Sequence, residues 1–408
     1  MIRLKKHIIY LFLILGIFHH ACTEPIDVST LSFESVIVVN ARITNQFKYQ
    51  EVLLSNSFPL EGDEYIAERN ASVLIVDDTG NQFDFYESET PGKYISSKEF
   101  EAEPGRSYQL KIIRDDGKNY ESKTTQLTQV TQIDNLYAER GLDGRNNDGM
   151  FIYVDSSDPN GNSKYYQYEY EETYQIVAPF WVPQELVVNE ENNPFFRYSI
   201  IDKTTEQKTC YNTVNSNDII QTTTTDLTDD EVNKFQVRFV NGDDPIISHR
   251  YSILVKQYVQ SLDAYTYYKT VKKLSVSENV FSQNQPGFIQ GNIVSVDSQN
   301  EKVIGMFEVS SVSEKRLFFD YDDFYPDASE LFYFVNCEFS KPMDVNLTPS
   351  ANPPPLQREV MDGLVKYFDF NQAYPDDNFP NEGPIIVVTS ACGDCTEFGT
   401  NVKPSFWE

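Results

Sequence analysis

Cysteine and histidine, the residues most often used in nucleophilic catalysis and metal binding, are scarce in this 408-residue chain. Of four histidines, three fall in the first 20 residues, and His249 is the only one that follows them. Hydrolases of the Ser-His-Asp and Cys-His types need an imidazole as the base, and zinc or non-haem iron sites usually need several. A single histidine at the predicted start of a strand is more typical of a structural residue. We therefore predict no metal, no cofactor and no catalytic residue.

The five cysteines are Cys22, Cys210, Cys337, Cys392 and Cys395. If Cys22 is acylated, an even number remains in an exported chain, which favours structural disulfides in any of three pairings. Zinc bound by all four is a less favoured alternative. The segment 392–395 has redox C-x-x-C spacing, but it lies near the C-terminus and outside the strand-to-helix setting of a thioredoxin motif.

Cys22 follows a predicted secretory signal peptide at residues 1–21. Arg3, Lys5 and Lys6 precede an apolar run of about 11 residues, which is too short to span a bilayer. The position resembles a lipobox cysteine, although His19 stands where Leu is usual, and ordinary cleavage beside an incidental cysteine is the alternative. We predict lipidation of Cys22, a tether at residues 22–32, and anchoring to the outer membrane by acyl chains.

The charge of the chain disfavours nucleic acid as a partner. The net charge is -29, and it becomes -32 when residues 1–21, which carry three basic and no acidic side chains, are removed. Such a chain is repelled by phosphate backbones and by anionic lipid headgroups. Attachment to a membrane would therefore depend on the acyl anchor and on a protein partner.

The pattern of the remaining chain predicts a mainly β fold. Short alternating segments with Asp-Gly turn signals at residues 78–81 and 115–118 predict an immunoglobulin-like β-sandwich over residues 33–128. A larger β-rich domain follows over residues 129–408. It contains one prominent helix near residues 261–275, which Ser261 can cap and in which apolar residues recur at helical spacing.

Several segments of the second domain have alternative interpretations. The acidic and amide-rich runs at 143–149 and 155–162 suggest calcium, but neither completes an EF-hand, and turn chemistry is favoured.

Tyr166, Tyr168 and Tyr170 share one strand face, and Gln167, Glu169 and Glu171 share the other. The tyrosines could stack a sugar or a partner, but packing on their own core is favoured. Residues 178–200 are predicted to form a long aromatic loop. Strands are predicted at 251–259, 303–311, 315–320, 331–339 and 385–389.

These features together resemble a known family. The residues that contribute are those at 22–25, 158–159, 165–166, 250–258, 286–287, 291–293, 305–316 and, most specifically, the closing segment 392–407. They look like the Bacteroidota outer-membrane lipoprotein family catalogued as "domain of unknown function 4249". Its members are often encoded beside a TonB-dependent transporter, so the resemblance implies an accessory role beside an outer-membrane barrel. The resemblance carries no catalytic or ligand-binding residues over to this chain.

The first functional hypothesis is a non-enzymatic, lipid-anchored outer-membrane protein, facing the cell surface, that helps a TonB-dependent transporter to capture or gate its substrate. The second is a structural subunit of a larger outer-membrane assembly, such as the machinery that inserts barrels or exports surface lipoproteins. The third and least favoured is a glycan-active enzyme that uses two of the 62 acidic residues.

Overall fold

The structure is a computed structural model that describes residues 35–57, 65–188, 198–276, 289–328, 331–344, 353–375 and 381–407. The predicted signal peptide, the tether and Cys22 lie outside these residues. The fold is mainly β, which confirms the fold class predicted from the sequence. Among the described helices, none combines the length and the apolar character needed to cross a membrane.

Strands account for most of the regular structure. In chain order they are β1 Ile37–Thr44, β2 Glu51–Asn56, β3 Ile66–Ala67, β4 Ser72–Asp77, β5 Gln82–Glu87, β6 Lys93–Ser96, β7 Ser107–Ile113, β8 Asn119–Ser122, β9 Thr125–Gln126, β10 Ile133–Leu142, β11 Asp148–Ser157, β12 Tyr165–Val177, β13 Gln184–Val188, β14 Tyr198–Asp202, β15 Thr209–Asn215, β16 Ile220–Thr223, β17 Glu231–Asn241, β18 Arg250–Val259, β19 Ile293–Ser295, β20 Ile304–Asp320, β21 Phe339–Ser340, β22 Val365–Phe370 and β23 Ile385–Thr389.

The helix predicted near residues 261–275 is present as α1 Leu262–Val276. Its start is fixed by Ser261, whose Oγ accepts a hydrogen bond from the backbone N–H of Ala264 at 3.2 Å. The other helices are α2 Pro355–Met361 and α3 Ser390–Gly393, with 3-10 turns at Pro245–Ile247, Tyr321–Asp323 and Cys395–Glu397.

The largest sheet of the described residues has 15 strands. Its strands follow the order β15-β12-β18-β20-β1-β2-β6-β5-β4-β7-β8-β19. The N-terminal part of this sheet folds over in a sandwich-like arrangement, and its inward side chains form a first core. That core takes most of its residues from β1 to β8, and it also includes Ile293, Val303, Phe307 and Val309. The later strands β19 and β20 therefore contribute to the N-terminal core.

A second core lies between the sheet β10-β11-β17 and the inner face of β12 and β18. Tyr166 and Tyr168 are fully buried there, so the tyrosine face of β12 packs on its own core, as favoured from the sequence. The predicted loop at 178–200 is partly wrong, because β13 and β14 pair as a hairpin; residues 189–197 lie outside the described residues.

The strand predicted at 331–339 is wrong, because residues 331–338 have no strand pairing. Tyr333 and Phe334 both pack against the second core, and both rings contact Phe398, with centroids 5.7 and 5.1 Å apart. Consecutive residues that point the same way do not fit the alternation of a strand. The last elements form a small sheet, β21-β23-β22, which shares a third core with α2 and β13.

Candidate functional site

A polar cleft of about 680 Å³ lies on the outer face of the largest sheet, where the sheet passes from the second core to the first. Five neighbouring strands, β12, β18, β20, β1 and β2, run beneath it. We call it the central cleft. Its floor includes Asn40, Arg42, Gln167, Glu169 and Tyr258, its walls include Tyr49, Asn217, Asp218, Tyr267 and Tyr268, and Lys48 and Lys256 lie at its rim.

The alternation of side chains along two strands places the polar groups on this face. In β1 the residues Val39, Ala41 and Ile43 are buried in the first core, so Asn40 and Arg42 point to the opposite face. In β12 the buried tyrosines leave Gln167 and Glu169 on the outer face. The floor is therefore the polar side of strands whose apolar side builds the cores.

Arg42 is at the centre of a closed polar network on the floor. Its Nη1 donates to Oε1 of Glu169 at 2.6 Å, and its Nε donates to Oε2 of Glu308 at 2.8 Å. The guanidinium carbon lies 4.2 Å from the centre of the Tyr258 ring. Glu308, which is 2 % exposed, also accepts hydrogen bonds from Gln260 at 2.9 Å and Ser310 at 3.0 Å. Every strong charge on the floor thus has a partner of opposite sign or a hydrogen bond.

Electrostatics reinforce this network. Burial alone would lower the pKa of Arg42, but the carboxylates of Glu308 and Glu169 outweigh burial and raise that pKa well above its ordinary value. Burial would raise the pKa of Glu169, yet Arg42 holds it below its ordinary value. Both groups are therefore charged at neutral pH.

Two lysines at the rim make no ion pair with the described residues, although carboxylates lie near them. Lys256 is in register with Glu169 on one neighbouring strand and with Glu314 on the other. Partial burial and the nearby Lys256 lower the pKa of Lys48, while Glu51, Glu314 and Glu169 act in the opposite direction. The rim therefore carries mixed charge.

Tyrosines form one wall of the cleft. Tyr267 and Tyr268 project from α1 and contact each other edge to face, with ring centroids 5.3 Å apart. Burial raises the pKa of both phenols, so they are neutral hydrogen-bonding groups at physiological pH. The cleft thus offers aromatic faces above a floor of paired charges and amides, a composition suited to binding a polar small molecule.

The four predicted disulfide cysteines form two bonds. Cys210 pairs with Cys395 and Cys337 with Cys392, with Cα–Cα distances of 5.6 and 5.8 Å. The expectation of structural disulfides is confirmed. Cys392 and Cys395 are not bonded to each other, and each fastens the C-terminal segment to a different part of the chain.

His249 and the two acidic runs do not line the cleft. His249 is exposed in the turn before β18. In the two acidic runs, Asp143 accepts from the backbone N–H groups of Arg145 and Asn147, both at 2.8 Å, and Asp158 accepts from that of Asn160 at 3.0 Å. These are the turn bonds that were favoured over calcium. Among the described residues, no group of three or more His, Cys, Asp or Glu is arranged to hold a metal ion.

Sequence reasoning missed the central cleft. Gln167 and Glu169 were recognised as one face of a strand, but nothing linked that face to Arg42, which lies more than 120 residues away. The one available signal was a lone arginine within the β-branched run of β1, since a charge there needs a partner when it is covered.

The fold and the cleft define a mainly β protein with a polar binding surface on its central sheet. The chain belongs to the family described as Domain of unknown function (DUF4249), which matches residues 23–316. This match confirms the family predicted from the sequence, and it includes every residue of the cleft floor. The closing segment 392–407 lies beyond the matched residues. No curated protein matches the chain.

Proposed function

We propose that the protein is a lipid-anchored outer-membrane protein, facing the cell surface, that assists a TonB-dependent transporter by capturing a polar small ligand in the central cleft, without catalysing a reaction. The observation that carries the capture role is the central cleft itself. Its volume of about 680 Å³ lies within the range of small-molecule sites, roughly 300–1,000 Å³.

The burial and ion pairing of the acidic groups support a binding function rather than catalysis. A pair of catalytic carboxylates must both reach the substrate, and one of them must exchange a proton. Here Glu308 is buried beneath Arg42, and Glu169 is held ionised by the same arginine. Glu51, another carboxylate of the lining, forms an ion pair with Lys93 at 2.8 Å.

The membrane part of the proposal is supported by the sequence. The basic start, the apolar run and Cys22 indicate export and acylation, and the acidic surface would oppose attachment by charge. The two disulfides suit a protein that folds in an oxidising compartment.

The test is co-purification of the tagged full-length protein from detergent-solubilised membranes. We expect a barrel protein to be recovered with it, and we expect Cys22→Ser to abolish incorporation of labelled palmitate. Tyr267→Ala should reduce uptake of the transported compound while the barrel is still recovered. Tyr86→Ala, an exposed tyrosine on β5 that does not line the cleft, is the matched control. Recovery of the lipoprotein without a barrel would refute the proposal.

A second candidate, a structural subunit of a larger outer-membrane assembly, is favoured by apolar side chains exposed on the C-terminal sheet, on α2 and in the turn between them. They include Phe339, Met361, Leu364 and Phe370, each between 46 and 63 % exposed. Side chains of this kind are typical of the centre of protein interfaces. Depletion of the protein separates the candidates, because loss of uptake of one nutrient indicates capture and broad envelope defects indicate a structural subunit.

A further inference from the structure

We propose that the ligand of the central cleft is a neutral, polyhydroxylated molecule of the saccharide class. This inference rests on the capture role proposed above and specifies its ligand. It follows from three features of the cleft, namely its balanced charge, its hydrogen-bonding groups and its aromatic wall.

The charges that line the cleft balance. Arg42, Lys48 and Lys256 are matched in number by Glu51, Glu169 and Asp218. A ligand with a net charge would upset this balance, because the lining would compensate its charge only in part, and this opposes binding. A neutral ligand leaves the balance of charge unchanged.

The lysines at the rim do not form a dedicated anion site. An anion placed between Lys48 and Lys256 would also face Glu51, Glu169 and Glu314, which act on the same ammonium group. Glu169 and Glu314 flank Lys256 in register on the two neighbouring strands. The repulsion from these carboxylates would offset much of the attraction to the lysines.

The polar groups of the lining match hydroxyl groups. Each hydroxyl can donate one hydrogen bond and accept two, so a polyol needs donors and acceptors close together. Asn40 and Asn217, both exposed, each carry both, Glu169 supplies an acceptor whose side chain is 38 % exposed, and the lysines supply donors. A ligand rich in hydroxyl groups can satisfy this mixture without changing the charge of the cleft.

The tyrosine wall matches the apolar C–H faces of a saccharide. A sugar ring presents C–H groups on its faces, and these pack on aromatic rings, while the hydroxyl groups project from its edge. Tyr267 and Tyr268 on α1 and Tyr49 before β2 offer such rings along the cleft, and Tyr49 is 51 % exposed. Their phenol groups add hydrogen bonds at the rim.

The experiment measures binding of the purified, lipidated full-length protein in detergent to oligosaccharides of three kinds: neutral, anionic with uronate or sulfate groups, and cationic with free amino groups. We expect preference for neutral oligosaccharides, with an affinity that changes less than about two-fold between about 50 and 500 mM salt. Tyr267→Ala and the exposed loop variant Asn217→Ala should each weaken binding about 3- to 10-fold. Tyr86→Ala should leave binding unchanged, and the melting temperature of each variant shows whether it is folded.

Any other outcome would overturn the inference, and the result would show which part of it is wrong. Preference for charged oligosaccharides with steep salt dependence would show that the ligand is ionic, and it would leave the capture role intact. Binding that is unchanged in both Tyr267→Ala and Asn217→Ala would place the ligand elsewhere. Failure to bind any oligosaccharide while the barrel still co-purifies would reject the saccharide class, whereas failure of the barrel to co-purify would reject the proposed function instead.

Discussion

Arg42 connects the two halves of the molecule through its side chain. The residue lies on β1, and its partners Glu308 and Glu169 lie on β20 and β12. A guanidinium suits this position because it is planar, stays charged, and can serve two carboxylates while stacking on Tyr258. The bonds to both carboxylates fix the position of Glu169 at the floor of the cleft.

Replacement of Arg42 by methionine should destabilise the protein strongly. The substitution leaves Glu308, which is 2 % exposed, without its cation, and loss of one partner of a buried pair costs about 3–5 kcal/mol. The measurement is the free energy of unfolding from urea titration. The double variant Arg42→Met, Glu308→Gln should recover part of the loss, because no buried charge is then left alone.

The matched control for this prediction is Glu139→Gln, which breaks the exposed pair with Lys234. That change should leave stability nearly unchanged, as is usual for an ion pair at the surface. Equal stability of Arg42→Met and Glu139→Gln would show that the network of Arg42 is not important for folding.

At the scale of residues, the sequence predicts the kind of interaction a residue makes better than it predicts which residue it contacts. The cysteines could be recognised as structural, but three pairings were open, because pairing depends on which segments the fold brings to within about 6 Å. The role of Arg42 could not be foreseen for the same reason, since Glu169 and Glu308 lie 127 and 266 residues away in the chain.

Strand β20 is the element that joins the two cores. Its first residues pair in parallel with β1, and its later residues pair antiparallel with β18. Gly305 lies where β20 starts, in register with Val39. Its φ is +148°, and a Cβ there would lie 2.2 Å from the carbonyl oxygen of Val39.

Gly305→Ala should therefore loosen the contact between β1 and β20. The added methyl group has no room, and the backbone conformation is unfavourable for any residue with a Cβ. We expect a loss of at least about 2 kcal/mol in unfolding free energy, from backbone strain and overpacking together. Amide hydrogen exchange along β1 should also become faster. Gly80→Ala is the control. Gly80 also has a positive φ, +90°, but it lies in an open turn where an added Cβ has room. Only the conformational cost of about 1 kcal/mol therefore applies. Equal effects of the two variants would contradict the close approach described for Gly305.

The sequence predicts two strands, at 303–311 and 315–320, where the structure has the single strand β20. Ser311 and Ser313, beside the predicted break, are buried and hydrogen-bonded within the continuous strand: Ser311 donates to the carbonyl of Gln129 at 2.7 Å, and Ser313 donates to Gln132 at 3.1 Å. Alternation and turn residues thus located most strands, whereas continuity of a strand depended on partners far along the chain.

The stability of the whole molecule should fall in acid. Asp158 illustrates the cause: its burial would raise its pKa, but hydrogen bonds from Asn160, Asn162 and Ser163 lower that pKa below its ordinary value. The pKa values of Asp77, Glu301 and Asp394 are lowered in the same way. The folded state therefore binds fewer protons than the unfolded state, whose Asp and Glu carboxyls titrate near pH 3.9–4.3.

The sign of the effect follows from this difference. The stability that these carboxylates add is complete above about pH 5 and is lost as the pH falls through the lower pKa values of the folded state. We expect urea titrations between pH 6 and pH 2 to show a steadily decreasing free energy of unfolding. Asp158→Asn should flatten that dependence, whereas Asp115→Asn, in an exposed turn, should leave it unchanged. A free energy independent of pH in this range would contradict the prediction.

The position of β1 has a mechanical consequence. It is the first described strand after the segment that carries Cys22, so a force applied at a lipid anchor would reach the folded part through this strand. β1 is hydrogen-bonded along its length to β2 on one side and to β20 on the other. A pull along its axis must therefore shear both rows of bonds at once and cannot open them one by one. Because the rate of unfolding governs resistance to force, this placement would protect a tethered protein against drag at the membrane surface.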